Sequence, residues 1–430
     1  MSKILEITGG NPLKGRVSVG GAKNAVLPML MATLLTPEEC VFTNVPRLMD
    51  ISYTVSLLEH FGADVNFFNG KLATKTPKLL VTEASYSLVK AMRASFWVLG
   101  PLLARGRSAS VAMPGGDVIG ARPVDIHLAG LTQMGADIKV KHGVVFATAP
   151  NGLKATEFDF RFPSVGATHQ LMMAASLTPG TTVLRGVAKE PEIEAVANLL
   201  NEMGGDVEGA GTSTIVIHGK DYLGGANVRV EGDRIEAGTL LLAGAITGGE
   251  VFVEGFSPKH FGNFLGILNE IGLNLEVTEN GVGVKPSKSA WRPVHVKTSP
   301  FPGFATDLQA LLMAFLTQVP GESTIEETIY EGRFGHVSEF CRMGANIIVE
   351  DRVAKITGAT QLSGAPIEGA DIRAVASLVL AALGAKGVSH VQGLSHLARG
   401  YSNFEQKLRS LGAQICVRLA DVDDYICTGC

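Results

Sequence analysis

The sequence predicts an α/β protein of two domains, each built from three repeats of about 70 residues closed around buried helices. Two internal periods lead to this prediction. The first is a helix end that closes on glycine and runs into a short strand. It occurs six times, as LLEHFGADV (Gly62), LTQMGADI (Gly135), LNEMGGDV (Gly204), LNEIGLNL (Gly272), CRMGANI (Gly344) and LRSLGAQI (Gly412). Successive glycines are 73, 69, 68, 72 and 68 residues apart, a period that marks a repeat architecture. Each glycine stands where a helix C-terminus needs positive φ, and the alternation after it suits a strand.

The second period is an apolar helix rich in small residues, upstream of each glycine: KNAVLPMLMATLL, MRASFWVLGPLLA, VGATHQLMMAASL, RIEAGTLLLAGAI, TDLQALLMAFL and RAVASLVLAAL. Apolar side chains on nearly every face predict a helix buried all round, and Ala and Gly let its neighbours approach closely. Each repeat therefore reads as a βαβ-type module with one buried and one amphipathic helix. An open solenoid suits units this long less well than closed domains. The first buried helix begins at Lys23, so residues 1–22 are expected to form a strand pair that completes the C-terminal domain. The predicted domains are 23–231, carrying repeats one to three, and 1–22 with 232–430, carrying repeats four to six.

Composition limits the function. The formal net charge of −4 over 430 residues gives no basic field for nucleic acid or an anionic membrane. No apolar stretch approaches the roughly 20 residues that span a bilayer, and MSKILEITGG lacks the charged and apolar regions of a signal peptide. Five cysteines form no disulfide framework, so a reducing cytoplasm is the expected setting. Cys427 and Cys430 have CxxC spacing but no second pair, which suits a frayed tail better than a zinc or redox site. Gly10 to Arg16 has Walker-like glycine spacing without the Lys-Ser/Thr pair, and no GxGxxG or HExxH occurs.

The charged residues at the helix starts are unusual. Lys23, Arg93, Arg234 and Arg373 stand at or just before the starts of four buried helices, and Arg122 opens another, in GARPVD. Aligned peptide dipoles make a helix N-terminus positive, so cations there call for an anion between them. Together they describe a pocket for phosphate and carboxylate; taken singly, each also reads as a separate capping salt bridge. Glycine pairs lie before Lys23 (Gly20, Gly21) and before Asp117 (Gly115, Gly116). Such pairs let backbone N–H groups approach a ligand, and the second is placed to hinge a lid.

Ten ordered segments carry a resemblance: GGAKNAVLP (20–28), MRASFWVLGPLLAR (92–105), PGGDVIGARPVDIH (114–127), FPSVGATHQLMMAA, KEPEIEAVANLL, GDRIEAGT, TDLQALLMA, GRFGHVSE, DIRAVASLVLAA and ARGY. Along essentially its whole length the chain resembles the UDP-N-acetylglucosamine enolpyruvyl transferase family of bacterial peptidoglycan synthesis. The resemblance implies an inside-out α/β barrel fold: two domains of three βαβαββ-like units, with the active site in the cleft between them. It implies addition of the sugar 3-hydroxyl to C2 of phosphoenolpyruvate, then loss of phosphate, with no metal or organic cofactor. Lys23, Arg122 and Arg399 would hold the phosphate and carboxylate of phosphoenolpyruvate, with Arg373 close by, and Asn24 would touch the reacting groups. Arg93, Arg122, Pro123, Val124, Asp125 and Ile126, with Phe162, Pro163, Ser164 and Val165, would bind the uridine diphosphate. Gly166 would admit the diphosphate to a helix start, Ile329 would contact the sugar, and Arg333 joins the substrate-binding set. Asp307 would take the proton from the 3-hydroxyl. The two small-molecule substrates are the implied partners, and the resemblance leaves the oligomeric state open.

The chain departs from the family pattern at the proton donor. Many members carry Cys in the PGG-x-x-IGARP loop, and this chain has Asp117, as part of the family does. Arg122 nearby would lower the Asp117 pKa, while bound anions and water exclusion would raise it. The expectation is that substrate binding protonates Asp117 enough to act. Because a carboxylate is a poorer nucleophile than a thiolate, fosfomycin resistance is also expected. Further departures are Phe301, Ala305, Phe162-Pro163 and Ala398. Two rival functions are the sister reaction on shikimate 3-phosphate, which would show Ser-Lys-Ser where this chain has Ala22-Lys23-Asn24, and a non-catalytic sugar-nucleotide-binding paralogue, which would not need Asp117.

Overall fold

A computed structural model describes residues 3–90, 92–115, 119–120, 123–287 and 290–420. They form six four-stranded sheets. The second repeat shows the common plan. Glu83–Ala84 runs parallel to Ser108–Ala112, which pairs antiparallel with Val144–Thr148, itself antiparallel to Asp137–Lys141. A parallel pair needs a long crossover, and the buried segment, Arg93–Val98 continued by Leu99–Gly106, supplies it. The amphipathic helix Asp125–Gln133 precedes the closing hairpin, which completes a βαβαββ unit. The third and fifth repeats follow the same course.

The other three repeats borrow strands. Ala226–Arg229 supplies the parallel edge strand of the first repeat, beside Glu39–Thr43. Lys14–Ser18 does the same for the fourth, beside Glu250–Glu254. Lys3–Thr8 enters the sixth, between Val388–Gln392 and Gln414–Leu419 and antiparallel to both. The strand pair expected within 1–22 is therefore not formed, because its two strands enter different sheets. Burial explains the split: Ile4, Leu5 and Ile7 are all buried, as a central strand requires, whereas only Val17 is buried in the edge strand Lys14–Ser18.

By contacts the chain divides into two compact units, one of the described residues in 21–116 and 122–231, the other of those in 1–20, 117–121 and 232–430. The first unit packs around the helices Lys23–Ala32, Leu99–Gly106 and Val165–Ser176. The second packs around Arg234–Ile246, Gln309–Leu316 and Ile372–Gly384. Small residues permit this packing: a Cβ on Gly100 would lie 2.6 Å from the Gln170 carbonyl oxygen.

All six repeat glycines have positive φ, between +86° and +101°. Each closes its helix with the same pair of hydrogen bonds. At the first, Gly62 N–H donates to Glu59 O (3.0 Å) and Ala63 N–H to Leu58 O (3.0 Å), the double bond of a Schellman cap. No helix among the described residues is long and apolar enough to cross a membrane.

Candidate active site

In the first unit, Lys23 is the opening residue of its buried helix, and its Nζ lies 2.7 Å from Asp50 Oδ2. Both side chains are buried. A cation placed in a dry helix start must find a counter-charge, and losing one partner of such a pair costs about 3–5 kcal/mol. The next residue, Asn24, is half-buried.

Arg93 opens the second buried segment and donates from Nη2 to the Pro123 carbonyl (3.3 Å). This ties it to the 123–126 stretch, where Val124 precedes the helix Asp125–Gln133. Asp125 pairs through Oδ2 with Arg161, the residue before Phe162 and Pro163. The two stretches implied to hold the nucleotide are thus joined by an ion pair that the sequence reading did not include. Phe162 is 45% exposed. Ser164 caps the helix Val165–Ser176, its hydroxyl accepting from Ala167 N–H (3.3 Å).

Gly166 lies in the first turn of that helix, against two aromatic side chains absent from the predicted set. A Cβ there would sit 2.7 Å from Trp97 Nε1 and 3.0 Å from the His127 ring. His127 is buried and hydrogen-bonds Gln170 through Nδ1; the Gln oxygen can only accept, so Nδ1 carries the proton. His169 packs against Trp97 at 5.3 Å. Burial pushes His127 down to about 4 and His169 to about 3, so both rings are neutral at physiological pH. Asp117 and Arg122 lie outside the described residues, as do Cys427 and Cys430.

In the second unit, Asp307 stands in the turn Thr306–Leu308 that opens its buried helix. Its Oδ1 is 2.7 Å from Arg333 Nη2 and its Oδ2 2.8 Å from Arg373 Nη2. Burial alone would raise the carboxyl pKa, but the Arg373 and Arg333 guanidinium groups outweigh it and hold Asp307 well below the usual carboxylate range. Arg373 also donates from Nη1 to the Tyr401 hydroxyl (3.2 Å), and that hydroxyl lies 2.9 Å from Thr239 Oγ1. Thr239 gives its proton to the Ile235 carbonyl (2.7 Å), so the Tyr401 hydroxyl donates to Thr239.

Acidic caps accompany the cations here: Asp233 accepts from Ile235 and Glu236 N–H, and Asp371 from Arg373 and Ala374 N–H. Aspartate at the cap and arginine at or next to the first helical residue thus share one helix end. The Arg234 guanidinium lies 5.9 Å from the Phe301 ring. Ile329 N–H donates to Glu327 Oε1 (2.8 Å). Arg399 is half-buried in the last turn of Leu394–Gly400, two residues before Tyr401.

The structure therefore gathers Asp307, Arg333 and Arg373 into one network, reaches Ile329 through Glu327, and links Arg93 to Pro123. Sequence reading missed Trp97, His127, Arg161, Gln170, Glu327 and Tyr401. All but Glu327 lie in or beside quoted segments, but nothing in their spacing assigns them a partner.

Residues 7–408 match the family described as EPSP synthase (3-phosphoshikimate 1-carboxyvinyltransferase). The chain is 49% identical over 418 residues to UDP-N-acetylglucosamine 1-carboxyvinyltransferase 1 of Staphylococcus epidermidis, covering 96% of this chain and 99% of that protein. The chain belongs to the UDP-N-acetylglucosamine 1-carboxyvinyltransferase family. It is 47% identical to UDP-N-acetylglucosamine 1-carboxyvinyltransferase 2 of Staphylococcus saprophyticus, covering 96% of this chain and 98% of that one. Among solved structures, the enolpyruvyl transferase NikO from Streptomyces tendae aligns with a TM-score of 0.88 at 25% identity, over 97% of this chain and 99% of its own. EPSP synthase from Acinetobacter baumannii aligns with a TM-score of 0.77 at 19% identity, over 97% of this carboxyvinyltransferase chain and 100% of its own, a likeness of fold.

Proposed function

We propose that this carboxyvinyltransferase moves the enolpyruvyl group of phosphoenolpyruvate onto the 3-hydroxyl of UDP-N-acetylglucosamine in peptidoglycan synthesis, with Asp307 as base and Asp117 as proton donor. The observation that carries the reading is Asp307 kept ionised between two buried arginines, in a chain 49% identical to an enzyme of that name. The hydroxyl oxygen adds to C2 of phosphoenolpyruvate as Asp117 delivers a proton to C3, which turns the methylene into methyl. The attacking oxygen becomes strongly acidic as the C–O bond forms, so even a carboxylate weakened by Arg373 and Arg333 accepts its proton. A proton then leaves C3 and phosphate leaves C2, which restores the double bond. In this reading Lys23, Arg122 and Arg399 hold the phosphate and carboxylate of phosphoenolpyruvate and stabilise negative charge already on the substrate, with Arg373 in support, and Asn24 touches the reacting groups. Arg93, residues 123–126 and 162–166, Ile329 and Arg333 hold the sugar nucleotide.

Phosphate release from purified protein given both substrates tests this reading. Release with shikimate 3-phosphate in place of the sugar nucleotide would contradict it. Asp117→Asn is expected to lower kcat about a hundredfold, the contribution of a positioned acid; near-normal turnover would remove Asp117 from the mechanism. Fosfomycin is expected to spare the unmodified enzyme and to inactivate Asp117→Cys with time, because only the latter presents a thiolate. Gly166→Ala is expected to raise the KM for UDP-N-acetylglucosamine about tenfold with a smaller effect on kcat. The new methyl collides with the Trp97 and His127 rings and closes the helix start to the diphosphate. An unchanged KM would separate Gly166 from the nucleotide.

A further inference from the structure

We propose that Glu327, which no assigned role covers, is a positioning residue for the transfer, setting both the grip on Asp307 and the backbone at Ile329. The inference rests on the reading of Asp307 as base. Glu327 is fully buried, and its carboxylate meets four donors. Oε1 accepts from Ile329 N–H (2.8 Å), Tyr330 N–H (3.1 Å) and the Thr298 hydroxyl (3.0 Å). Oε2 accepts from the Thr306 hydroxyl (2.8 Å). The same Thr306 oxygen receives Arg333 Nη1 (2.9 Å), and Arg333 Nη2 holds Asp307 Oδ1 (2.7 Å).

Donor and acceptor inventory fixes the direction of this chain. A guanidinium has only donors, so the Thr306 oxygen must accept from Arg333 and pass its own proton to Glu327. A carboxylate at 327 is thereby what makes Thr306 an acceptor toward the arginine. The other oxygen holds the 329–330 amides, so one side chain aligns the segment that meets the sugar with the group that takes its proton. A mainly structural glutamate would need only to be satisfied, whereas this one also sets the polarity of its neighbour.

Glutamine keeps the shape and breaks that polarity. In one orientation its amide nitrogen donates to Thr306, competing with Arg333; in the other it faces two backbone N–H groups with a donor. Glu327→Gln is therefore expected to lower kcat in the phosphate-release assay at least tenfold. In an Asp307→Asn background the same change is expected to alter the residual rate less than twofold, since groups acting as one unit are non-additive. Thr306→Val is expected to reproduce the loss and Thr306→Ser to restore most of it, which keeps the test available where Glu327→Gln fails to fold.

Wild-type kcat in Glu327→Gln beside an inactive Asp307→Asn would overturn this proposal alone. Additive losses in the double variant, or equal losses in Thr306→Ser and Thr306→Val, would overturn it too, as the mark of a structural role. A near-normal Asp307→Asn would overturn the base assignment, and the proposal with it.

Discussion

Asp307→Asn is expected to lower kcat by about three orders of magnitude, within the range seen for removal of a positioned base, and to leave the enzyme folded. Asparagine matches aspartate in size and keeps one oxygen acceptor, so one arginine retains its partner. The other then faces an amide donor. The carboxylate sits between two guanidinium groups at 2.7 and 2.8 Å, so the substitution changes the local charge from +1 to +2 and leaves no group able to take a proton from the sugar. Asp307→Ala goes further by leaving two buried arginines without their carboxylate, each keeping only a hydroxyl acceptor (Thr306 for Arg333, Tyr401 for Arg373), at a stability cost of about 3–5 kcal/mol. The comparison is therefore made with asparagine, reading phosphate release at saturating substrates beside a thermal melt. A well-folded Asp307→Asn enzyme that keeps more than a tenth of the wild-type kcat would transfer the base role elsewhere. Because the arginines hold Asp307 well below the usual carboxylate range, it stays ionised throughout neutral and mildly acidic pH. Any acid limb of the rate above pH 5 must come from another group.

What was legible in the sequence follows from how local each signal is. Positive φ at Gly62 and its five counterparts is imposed by the helix end they close, so six copies at one spacing predicted the repeats directly. The cations at helix starts were legible for the same reason. Their partners were not: Asp50 meets Lys23 across 27 positions and Arg373 meets Asp307 across 66, distances over which pattern carries no pairing information. The borrowed strands failed similarly. Nothing in KILEIT says that it enters a sheet with Val388–Gln392 and Gln414–Leu419, since Ile4, Leu5 and Ile7 mark an apolar strand without naming its neighbours. The roles proposed for Asp307 and Gly166 come only through family resemblance. Glu327 and Tyr401 became visible only when donors and acceptors could be counted atom by atom.

Stability is expected to hold steady from pH 8 to 7 and then to fall continuously as pH drops from about 6.5 toward 4, because three buried histidines must stay neutral to remain folded. Burial pushes His127 to about 4, His169 to about 3 and His336 to about 4. His169 has no hydrogen-bond partner on either ring nitrogen, and His336 none on Nε2, among the described residues. A proton added to these rings has little to stabilise it, and although Asp371 favours the charged His336, burial and Arg333 oppose it. The sign follows from linkage. In the unfolded chain each histidine titrates near 6.5, above its folded value, so below that pH the unfolded state binds more protons and stability is lost as pH falls. Each group contributes about 1.4 kcal/mol per pH unit inside its window, so three together approach 4 kcal/mol per unit. That slope would remove a typical domain stability of about 5–15 kcal/mol within a few pH units. Urea midpoints measured between pH 7.5 and 4.5 read the slope directly. His336→Gln is expected to flatten it by about a third through removal of one of the three titrations. A stability curve level from pH 7 to 4.5 would mean that these rings find protons or solvent in the folded protein that their burial denies them.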